Sequence, residues 1–491
     1  MNSRLPELSL SALLADLQVG GAIPDCLIRG LVLDARQVVE GDVFVAVQGH
    51  ERHGLEFVAQ AAERGAVAVI HDGMHSGTIE TDLLLIACAD LPEALPILAQ
   101  RRWGDPSDAL DLVAVTGTNG KTSVAWLLSQ ALGGAMIGTL GVGRPGQQSA
   151  STHTTPDIFS VYAQLHALRE SGVRSVVLEA SSHALDQHRL AGLRFTSAIF
   201  TTLGHDHLDY HEDRADYARA KARLFRDFES DRQILNLDDA FGQVLAAELG
   251  EGGGRITVAI RGDLGADVRA ELIEATREGL HARLHWTARD RTYEIHAPLL
   301  GEINLYNLLI IAAELSARGR SQQDICQTLS ELQAVPGRMQ GLVTPTGALA
   351  VIDYAHTPDA LESALKSLQA LNPERLWCVF GCGGDRDVTK RPIMGRIAES
   401  LADRVVLTND NPRKENPRSI VRAIQGGMRK PERAVIEFDR AAAIVRALAE
   451  ADERDVVLIA GKGHETEQII GESSQSFSDL ETVQQWLRAV A

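Results

Sequence analysis

The chain has 491 residues, a length typical of about three domains, and 45% of them are hydrophobic, which predicts a globular protein with ample core. Its net charge of −18 argues against a nucleic-acid partner, because phosphate backbones are bound by basic patches. The N-terminus carries no signal-peptide pattern, no apolar run is long enough to span a membrane, and the five cysteines lack paired spacing, so we expect a cytoplasmic protein with reduced thiols and no membrane partner.

Strand and helix patterns predict an α/β protein of three blocks, which in chain order are residues 1–108, 109–335 and 336–491. The first block contains two short apolar strands, 42–47 and 66–70, with a helical pattern between them. It is predicted to be a small α/β module.

In the central block apolar strands alternate with helices, which predicts a mostly parallel sheet flanked by helices. Residues 252–300 instead alternate apolar and polar side chains, and this pattern predicts an antiparallel patch within the block. In the third block, strands end in polar or glycine residues before a helical segment. That pattern predicts a doubly wound, Rossmann-like domain whose ligands gather beyond the carboxyl ends of the strands.

Residues 112–128 read LVAVTGTNGKTSVAWLL, a buried strand followed by two glycines, a Lys-Thr pair and an amphipathic helix. The stretch contains the core Gly-x-x-Gly-Lys-Thr but lacks the first glycine of a full phosphate-binding loop. The N–H groups at the start of the helix, the charge of Lys121 and the hydroxyl of Thr122 suit a nucleotide phosphate and Mg²⁺. A plain Gly-Asn turn is the alternative. We predict an ATP or GTP site.

Two further strand ends of the central block carry side chains that bind metals. Glu179 closes one strand and is a candidate Mg²⁺ ligand beside Thr122, because Mg²⁺ at a nucleotide site takes only one or two protein oxygens. The next strand runs into GHDHLDYH, residues 204–211, which approaches a zinc-hydrolase pattern except that its last histidine is one place too far along. Histidines that hydrogen-bond within a polar loop are the alternative. The residues of this run are His205, His207, Asp209 and His211.

Short motifs follow one another from the phosphate loop to the C-terminal block. They are TGTNGKTS (116–123), EASSHALDQHR (179–189), DHLDYH (206–211), ADYARAKARLF around Lys221, NLDD (236–239), GEINLYN (301–307), VPGRMQ (335–340), DYAHTPDAL (353–361), FGCGGDRDVTKRP (380–392), DNPR (410–413) and GKGHE (461–465). In this order they resemble the motifs of the Mur ligase family. Any one of them is weak evidence, but their order over most of the chain is specific.

The resemblance implies a UDP-sugar-binding domain in 1–108, a P-loop ATPase-like domain in 109–335 and an amino-acid-binding domain in 336–491. It implies an ATP-dependent amide ligase of peptidoglycan precursor synthesis. Such an enzyme adds meso-2,6-diaminopimelate to the D-glutamyl γ-carboxylate of UDP-N-acetylmuramoyl-L-alanyl-D-glutamate through an acyl phosphate, with Mg²⁺ as cofactor. The resemblance further implies a cytoplasmic monomer.

By the same resemblance, the phosphate loop and side chains from later motifs hold the nucleotide. The implied ATP-binding residues are Gly117, Thr118, Asn119, Gly120, Lys121, Thr122, Ser123, Asn304, Asn307, Arg338 and Asp353. The implied catalytic residues are Lys121, Glu179, His207 and Lys221, and the implied metal ligands are Thr122, Glu179, His207 and Lys221 as a carbamate.

The role implied for Lys221 depends on a covalent modification of its side chain. In the family the matching lysine is carbamylated by CO₂, which turns the cation into an anionic oxygen ligand near the second metal. Without the resemblance, Lys221 belongs with Arg219 and Arg223 to a solvated basic helix face. Its spacing of 14 residues after His207 and its AxAK context carry the assignment.

By the same resemblance, the first block and its junction with the second bind the nucleotide-sugar end of the substrate. DARQVVEGDVFVA (34–46) resembles the uridine-recognition loop of the family, and GHERHG (49–54) lies where the family touches the uridine diphosphate. His153 stands where some relatives have asparagine, and the threonines beside it also suit an ordinary turn and helix start. The implied contacts are Asp34, Arg36, His153, Thr154, Thr155, Ser181, Gln187 and Arg189.

The third block is expected to select the amino acid. Diaminopimelate differs from lysine by a second carboxylate, which an arginine can clamp through two parallel N–H bonds. Arg413 of DNPR is the candidate, although an isolated DNPR also suits an Asn-Pro turn. The implied pocket comprises Arg386, Asp410, Asn411, Pro412, Arg413, Gly461 and Glu465.

Three other functions remain open at this point. Folylpolyglutamate synthase would share the ATP core but lack the uridine loop and DNPR. A nucleotide-dependent switch would bind GTP, yet no N-K-x-D motif is present. A zinc hydrolase would bind zinc and need no ATP.

Overall fold

The computed structural model describes residues 5, 7–20, 23–49, 52–73, 79–151, 153–204, 206–207, 210–250, 252, 254–261, 265–287 and 291–490. His205 and Asp209, and His50 and Glu51 of the GHERHG segment, lie outside the described residues. The chain forms two compact units. The first comprises residues 1–116, 132–199 and 207–233, and the second comprises 117–131, 200–206 and 234–491.

The N-terminal part of the first unit is an α/β module, as the sequence predicts. Its elements are β1 (Leu8–Ser9), α1 (Leu10–Leu13), β2 (Leu27–Ile28), β3 (Leu31–Val32), β4 (Val43–Ala46), α2 (Val58–Glu63), β5 (Ala68–His71), β6 (Leu84–Ala87) and α3 (Leu91–Trp103). Strands β3 to β6 form a parallel sheet in sequence order. Phe44 and Val69 on one face of this sheet pack against Val58 and Ala61 of α2, which closes the core of the module.

The middle of the chain alternates strands and helices. Its elements are β7 (Asp111–Thr116), α4 (Lys121–Ala131), β8 (Ala135–Gly138), β9 (Gly141–Gly143), α5 (Ile158–Glu170), β10 (Ser175–Glu179), α6 (Ser182–Asp186), β11 (Phe195–Phe200), α7 (Arg214–Arg226), β12 (Ser230–Asn236), α8 (Ala240–Leu249), β13 (Arg255–Ala259), β14 (Val268–Ala275), β15 (Leu280–Trp286), β16 (Arg291–Ala297), α9 (Glu302–Ala317) and α10 (Gln322–Ser330).

In the first unit β11, β7, β10, β8 and β9 lie side by side in that order. Strand β10 runs parallel to both β7 and β8, and its last residue, Glu179, lies opposite Val115 of β7. The phosphate loop begins at Gly117, two residues beyond Val115 along the chain. Glu179 therefore ends the strand that lies next to β7, the strand that leads into the phosphate loop.

In the second unit β14, β15 and β16 are antiparallel, which confirms the predicted antiparallel patch. The prediction is wrong for β13, which pairs in parallel with β14. Alternating apolar and polar side chains indicate that one face of a strand is buried. They do not indicate whether the strand runs parallel or antiparallel to its neighbour.

The C-terminal part of the second unit is a doubly wound α/β fold. Its elements are β17 (Gln340–Val343), β18 (Leu349–Asp353), α11 (Pro358–Gln369), β19 (Leu376–Phe380), α12 (Lys390–Leu401), β20 (Arg404–Leu407), α13 (Pro417–Gln425), β21 (Val435–Ile436), α14 (Arg440–Glu450), β22 (Val456–Ala460), β23 (Glu467–Ile470), β24 (Ser473–Ser476) and α15 (Asp479–Val490).

Its six-stranded sheet has the order β17, β18, β22, β19, β20, β21, and all strands except β17 run parallel. The parallel strands read as continuous apolar runs because both faces are buried. Cys378 faces one core, which contains residues of α11, α12 and α13, and its neighbour Val379 faces the other, which contains α14. The carboxyl ends of β22, β19 and β20 therefore lie side by side at one edge. Among the described residues, no helix is long and apolar enough to cross a membrane.

Candidate functional site

The phosphate loop is closed by the segment that follows β11. Gly117 has a φ of 148°, and a Cβ built on it would lie 1.9 Å from Thr201 Oγ1, so only glycine fits there. The amide of Thr118 donates to the carbonyl of Thr202 over 2.7 Å, and the Thr118 hydroxyl accepts from the amide of Gly204 over 2.8 Å. Helix α4 then begins at Lys121, as the glycines predict.

Lys121 and two asparagines of α9 stand around this loop. The Lys121 ammonium donates to the carbonyls of Gly117 and Thr118 over 2.8 and 3.0 Å, so its charge is held at the loop. Asn307 is buried, and its Oδ1 lies 3.3 Å from the position that a Cβ would take at Gly120. Asn307 Nδ2 donates to Asn304 Oδ1 over 2.9 Å, which places both predicted nucleotide residues beside the loop.

Glu179 lies in the first unit and is fully buried at the end of β10. Its Oε1 accepts from the amide of Thr139 over 2.7 Å, and its Oε2 accepts from the Thr139 hydroxyl over 3.3 Å. Gly138 has no room for a side chain, because a Cβ there would lie 2.2 Å from Glu179 Oε1. The carboxylate is therefore held in one orientation.

Five of the residues predicted to hold the muramoyl dipeptide join Glu179 in one hydrogen-bonded network. The Thr155 hydroxyl donates to the Glu179 carbonyl over 2.5 Å, and Thr154 Oγ1 lies 3.1 Å from Thr139 Oγ1. The other links are Ser181 N to Thr155 Oγ1 (3.1 Å), Arg189 Nη1 to the Thr155 carbonyl (2.7 Å), Arg189 Nε to Gln187 Oε1 (3.0 Å) and Gln187 Nε2 to Tyr210 Oη (3.0 Å). Burial lowers the pKa of Arg189.

Lys221 lies with His207 in a cluster of rings in the first unit. The Lys221 side chain is 1% exposed, and its Nζ lies 4.3 Å from the centroid of the Tyr217 ring. The Tyr217 centroid lies 6.2 Å from that of His207, and His207 lies 4.8 Å from His183. The alternative of a solvated basic face is wrong for Lys221, although it holds for Arg219, whose side chain is 61% exposed. Tyr217 and Lys221 share the buried face of α7 because they are four residues apart.

His207 has a φ of 55°, a left-handed conformation that non-glycine residues seldom adopt. His211 is buried, and its Nδ1 lies 3.1 Å from Asp216 Oδ2; this hydrogen bond lowers the pKa of Asp216. Within the described part of the chain, no group of three or more histidine, cysteine or acidic residues has the geometry to hold a metal ion.

The uridine-loop residues lie at the surface of the N-terminal module. Asp34 caps a short 3₁₀ turn by accepting from the Arg36 amide over 2.9 Å, and its carboxylate pairs with the Arg36 guanidinium at 2.8 Å. The hydrogen bond to Arg36 holds the pKa of Asp34 below its usual value. His153 is exposed and adds a smaller electrostatic effect in the same direction.

Asp353 ends β18 in the second unit. Its carboxylate accepts from the amides of Met339 and Ala355 over 2.8 and 2.9 Å, and burial raises its pKa. Arg338 stacks over the Tyr354 ring at 4.3 Å, and its Nε has no hydrogen-bond partner among the described residues. The His464 ring lies 5.1 Å from that of Tyr354, and burial lowers the pKa of His464 to about 4.

Three loops meet at the carboxyl edge of the C-terminal sheet. Arg413 Nη1 donates to the carbonyl of Gly384 over 2.8 Å, which joins the DNPR turn to the loop after β19. Asn411 Nδ2 donates to Glu465 Oε2 over 2.9 Å, which joins it to the loop after β22. A Cβ at Gly461 would lie 2.6 Å from Asp410 Oδ2, and Pro412 is buried in the same turn. Arg386 is exposed and, in the described part of the chain, makes no hydrogen bond to these residues.

Sequence reasoning missed four residues of these networks, Thr139, Tyr210, Lys462 and His464. Lys462 is 0% exposed, and its ammonium donates to Asn411 Oδ1 over 3.0 Å and to Glu465 Oε2 over 2.8 Å. The position of Lys462 between two glycines of the GKGHE motif could have marked it as a candidate site residue. Thr139 directly follows β8, the neighbour of β10, so its position at a strand end could have marked it as a candidate partner of Glu179.

Comparison with known proteins covers nearly the whole chain. The model of the Mur ligase family, catalytic domain, matches residues 27–103, that of the Mur ligase middle domain matches 115–315, and that of the Mur ligase, glutamate ligase domain, matches 337–463.

One curated relative is the UDP-N-acetylmuramoyl-L-alanyl-D-glutamate--2,6-diaminopimelate ligase of Xanthomonas campestris pv. campestris. It is 43% identical over 486 residues, 98% of this chain and 97% of its own. A solved structure of an enzyme with the same name has a TM-score of 0.69 at 32% identity and covers 99% of both chains. A MurF ligase from Thermotoga maritima, solved in complex with ADP, shares the fold with a TM-score of 0.63 at 18% identity, over 94% of this chain and 98% of its own.

Proposed function

The chain belongs to the Mur ligase family, and on this premise we propose that it is the ATP-dependent ligase that joins meso-2,6-diaminopimelate to UDP-N-acetylmuramoyl-L-alanyl-D-glutamate. The observation that carries the choice of amino acid is Arg413. Its guanidinium is half-buried on the Gly384 carbonyl, at the edge where Asn411, Lys462 and Glu465 also meet. A guanidinium in this setting suits the second carboxylate of diaminopimelate.

The reaction converts a poor electrophile into a good one. An oxygen of the D-glutamyl γ-carboxylate attacks the γ-phosphorus of ATP, the bond from that phosphorus to the bridging oxygen breaks, and ADP leaves. The amine of diaminopimelate then attacks the carbonyl carbon of the acyl phosphate, inorganic phosphate leaves, and the nitrogen loses its proton. Because the reacting groups are anionic, the protein acts mainly by positioning and by electrostatic stabilisation.

The phosphate loop supplies most of that stabilisation for ATP. The N–H groups at the start of α4 and the Lys121 ammonium bind the β- and γ-phosphates. Two carbonyls of the loop accept hydrogen bonds from the Lys121 ammonium, which keeps its charge at the proposed phosphate site. Asn304 and Asn307 line the same loop, and Arg338 and Asp353 are proposed to contact the rest of the nucleotide.

Glu179 and His207, both in the first unit, are proposed to bind Mg²⁺, and the Thr122 hydroxyl at the start of α4 is proposed separately as a ligand of the Mg²⁺ that accompanies the nucleotide. Mg²⁺ prefers oxygen ligands, which the Thr122 hydroxyl and the Glu179 carboxylate offer, and the carboxylate of Glu179 is held in one orientation by Thr139. When bound, Mg²⁺ neutralises charge on the phosphates.

Lys221 is proposed to act as a carbamate. The Lys221 ammonium first loses one proton; the neutral amine then attacks the carbon of CO₂ and loses a second proton, so that the product is an anion with two oxygen atoms. The burial of Lys221 beside the Tyr217 ring supports this assignment, because lysine side chains are seldom fully buried.

The network around Thr155 and Arg189 is proposed to bind the dipeptide of the substrate, and Asp34 and Arg36 are proposed to bind its uridine diphosphate end. Arg36 is well placed for this, because its guanidinium is largely exposed and, among the described residues, pairs only with the neighbouring Asp34. We also propose a cytoplasmic monomer. The five cysteines are free, which is typical of a reducing compartment.

The test is phosphate release from ATP with purified protein, Mg²⁺ and the UDP-muramoyl dipeptide, comparing diaminopimelate, lysine and no amine. We expect fast release with diaminopimelate, much slower release with lysine and none without an amine. Lysine leaves Arg413 unpaired at a cost of about 2 to 4 kcal/mol, or roughly a thirty- to thousandfold lower kcat/KM. Equal use of lysine would contradict the role of Arg413, and release without any amine would contradict a ligase.

A further inference from the structure

The hairpin of β23 and β24 lies behind the DNPR turn and holds its backbone. The amide of Arg413 donates to the Ile469 carbonyl over 3.1 Å, and the Arg413 carbonyl accepts from the amide of Gly471 over 2.8 Å. The amide of Ile469 also donates to Asn411 Oδ1 over 3.0 Å. These bonds fix Arg413 from both sides while its backbone has a left-handed φ of 49°.

One side chain of the hairpin takes part in this support. Gln468 is 8% exposed, and its Nε2 donates to the carbonyl of Asp410 over 2.7 Å. Asp410 is the first residue of the turn and is itself buried. Without Gln468 this carbonyl would lose its buried donor, and the turn would relax away from the left-handed geometry that the hairpin imposes.

We propose that Gln468 is a positioning residue for the amino-acid substrate: through the Asp410 carbonyl it keeps the DNPR turn in the conformation that presents the Arg413 guanidinium to the distal carboxylate. This inference rests on the proposed function and deepens it. Two parallel N–H bonds from one guanidinium require both partners in a fixed geometry, so a small shift of the turn weakens the clamp. The phosphate loop is held by residues 201–204 and α9 instead, so ATP binding is unaffected.

The test compares Gln468→Met, which keeps the length of the side chain and removes the donor, with Gln475→Met. Gln475 lies directly opposite Gln468 on β24 and is exposed, so it is a matched control on the same hairpin. KM is measured separately for diaminopimelate, ATP and the UDP-muramoyl dipeptide, together with kcat. We expect Gln468→Met to raise the KM for diaminopimelate roughly tenfold and to lower its preference over lysine, with the KM for ATP and kcat within twofold of the parent. Gln475→Met should match the parent in every constant.

A second variant, Gln468→Glu, keeps the shape but places a carboxylate against the Asp410 carbonyl, and we expect at least as large a rise in the diaminopimelate KM. An unchanged diaminopimelate KM in either folded variant overturns the inference. So does an equal rise in all three KM values, because it indicates a merely structural role. If the parent protein releases no phosphate in response to diaminopimelate, the proposed function itself is wrong and the inference falls with it.

Discussion

Individual residues of the candidate site are distinguished by strain and burial rather than by type. His207 and Arg413 both adopt left-handed backbone conformations, with φ of 55° and 49°. Such conformations cost free energy in non-glycine residues and persist only where surrounding contacts hold them. Lys221 and Lys462 are fully buried lysines. Burying a charge is costly unless it is paired, so lysines at such positions point to function or to a specific network.

Replacing Lys221 with alanine should abolish most activity while the protein remains folded. If the lysine acts as a carbamate, a small carboxylate such as acetate at high concentration should restore part of the turnover, because it can occupy the space and supply an anionic oxygen. Arg219→Ala on the exposed face of the same helix is the control and should keep normal turnover. The measurement is phosphate release with and without added acetate; near-parent activity of the Lys221 variant would rule out its catalytic role.

At the level of elements, the connection from β7 to α4 depends on the close approach of the Thr201 side chain to Gly117. The strand and the helix follow from apolar periodicity, but the loop between them is shaped by residues 201–204 of a segment about 85 positions away. Gly117 is required because the Thr201 side chain fills the space that a Cβ would need. Helix α7 also depends on tertiary packing. Helical spacing puts Tyr217 and Lys221 on one face, but only the packed structure determines that this face is buried.

Gly117→Ala should therefore disrupt nucleotide binding. A methyl group at 1.9 Å from Thr201 Oγ1 forces the loop to move, and we expect kcat/KM for ATP to fall at least tenfold with a loss of about 1 to 3 kcal/mol in the free energy of unfolding. Gly133→Ala is the matched control, since Gly133 also has a positive φ, of 60°, but no atom lies within 4 Å of its added Cβ. Steady-state kinetics with varied ATP test this. Parent-like kinetics of the Gly117 variant would show that the close contact is dispensable.

At the level of the whole molecule, one arginine in the second unit bonds the antiparallel patch to two loops of the C-terminal sheet. Arg277, in the turn between β14 and β15, donates to the carbonyls of Gly347, Glu453 and Asp455 over 2.7, 2.6 and 3.3 Å. These acceptors lie in two separate loops at the amino ends of β18 and β22. A single side chain thus connects parts of the chain that are more than 170 residues apart.

Arg277→Ala should lower the free energy of unfolding by about 1 to 2 kcal/mol, because three carbonyls lose a charged donor at a half-buried site. Arg283→Ala is the control: Arg283 lies on β15 and pairs with Glu271 and Glu294 at the surface, where ion pairs contribute little. Urea unfolding followed by circular dichroism measures both. Equal stability of the two variants would mean that the Arg277 contacts add nothing beyond a surface ion pair.

The sequence by itself determined the α/β class, most of the strands and helices, and the loops that carry the chemistry, because hydrophobic periodicity and glycine or proline positions are local properties of the chain. It also placed DNPR, GKGHE and the phosphate loop at strand ends. Only the tertiary structure decided which side chains are buried, such as Lys221 and Lys462, and which distant segments support a site, such as the hairpin behind Arg413. Burial and contacts between remote segments arise from packing, which no local pattern encodes.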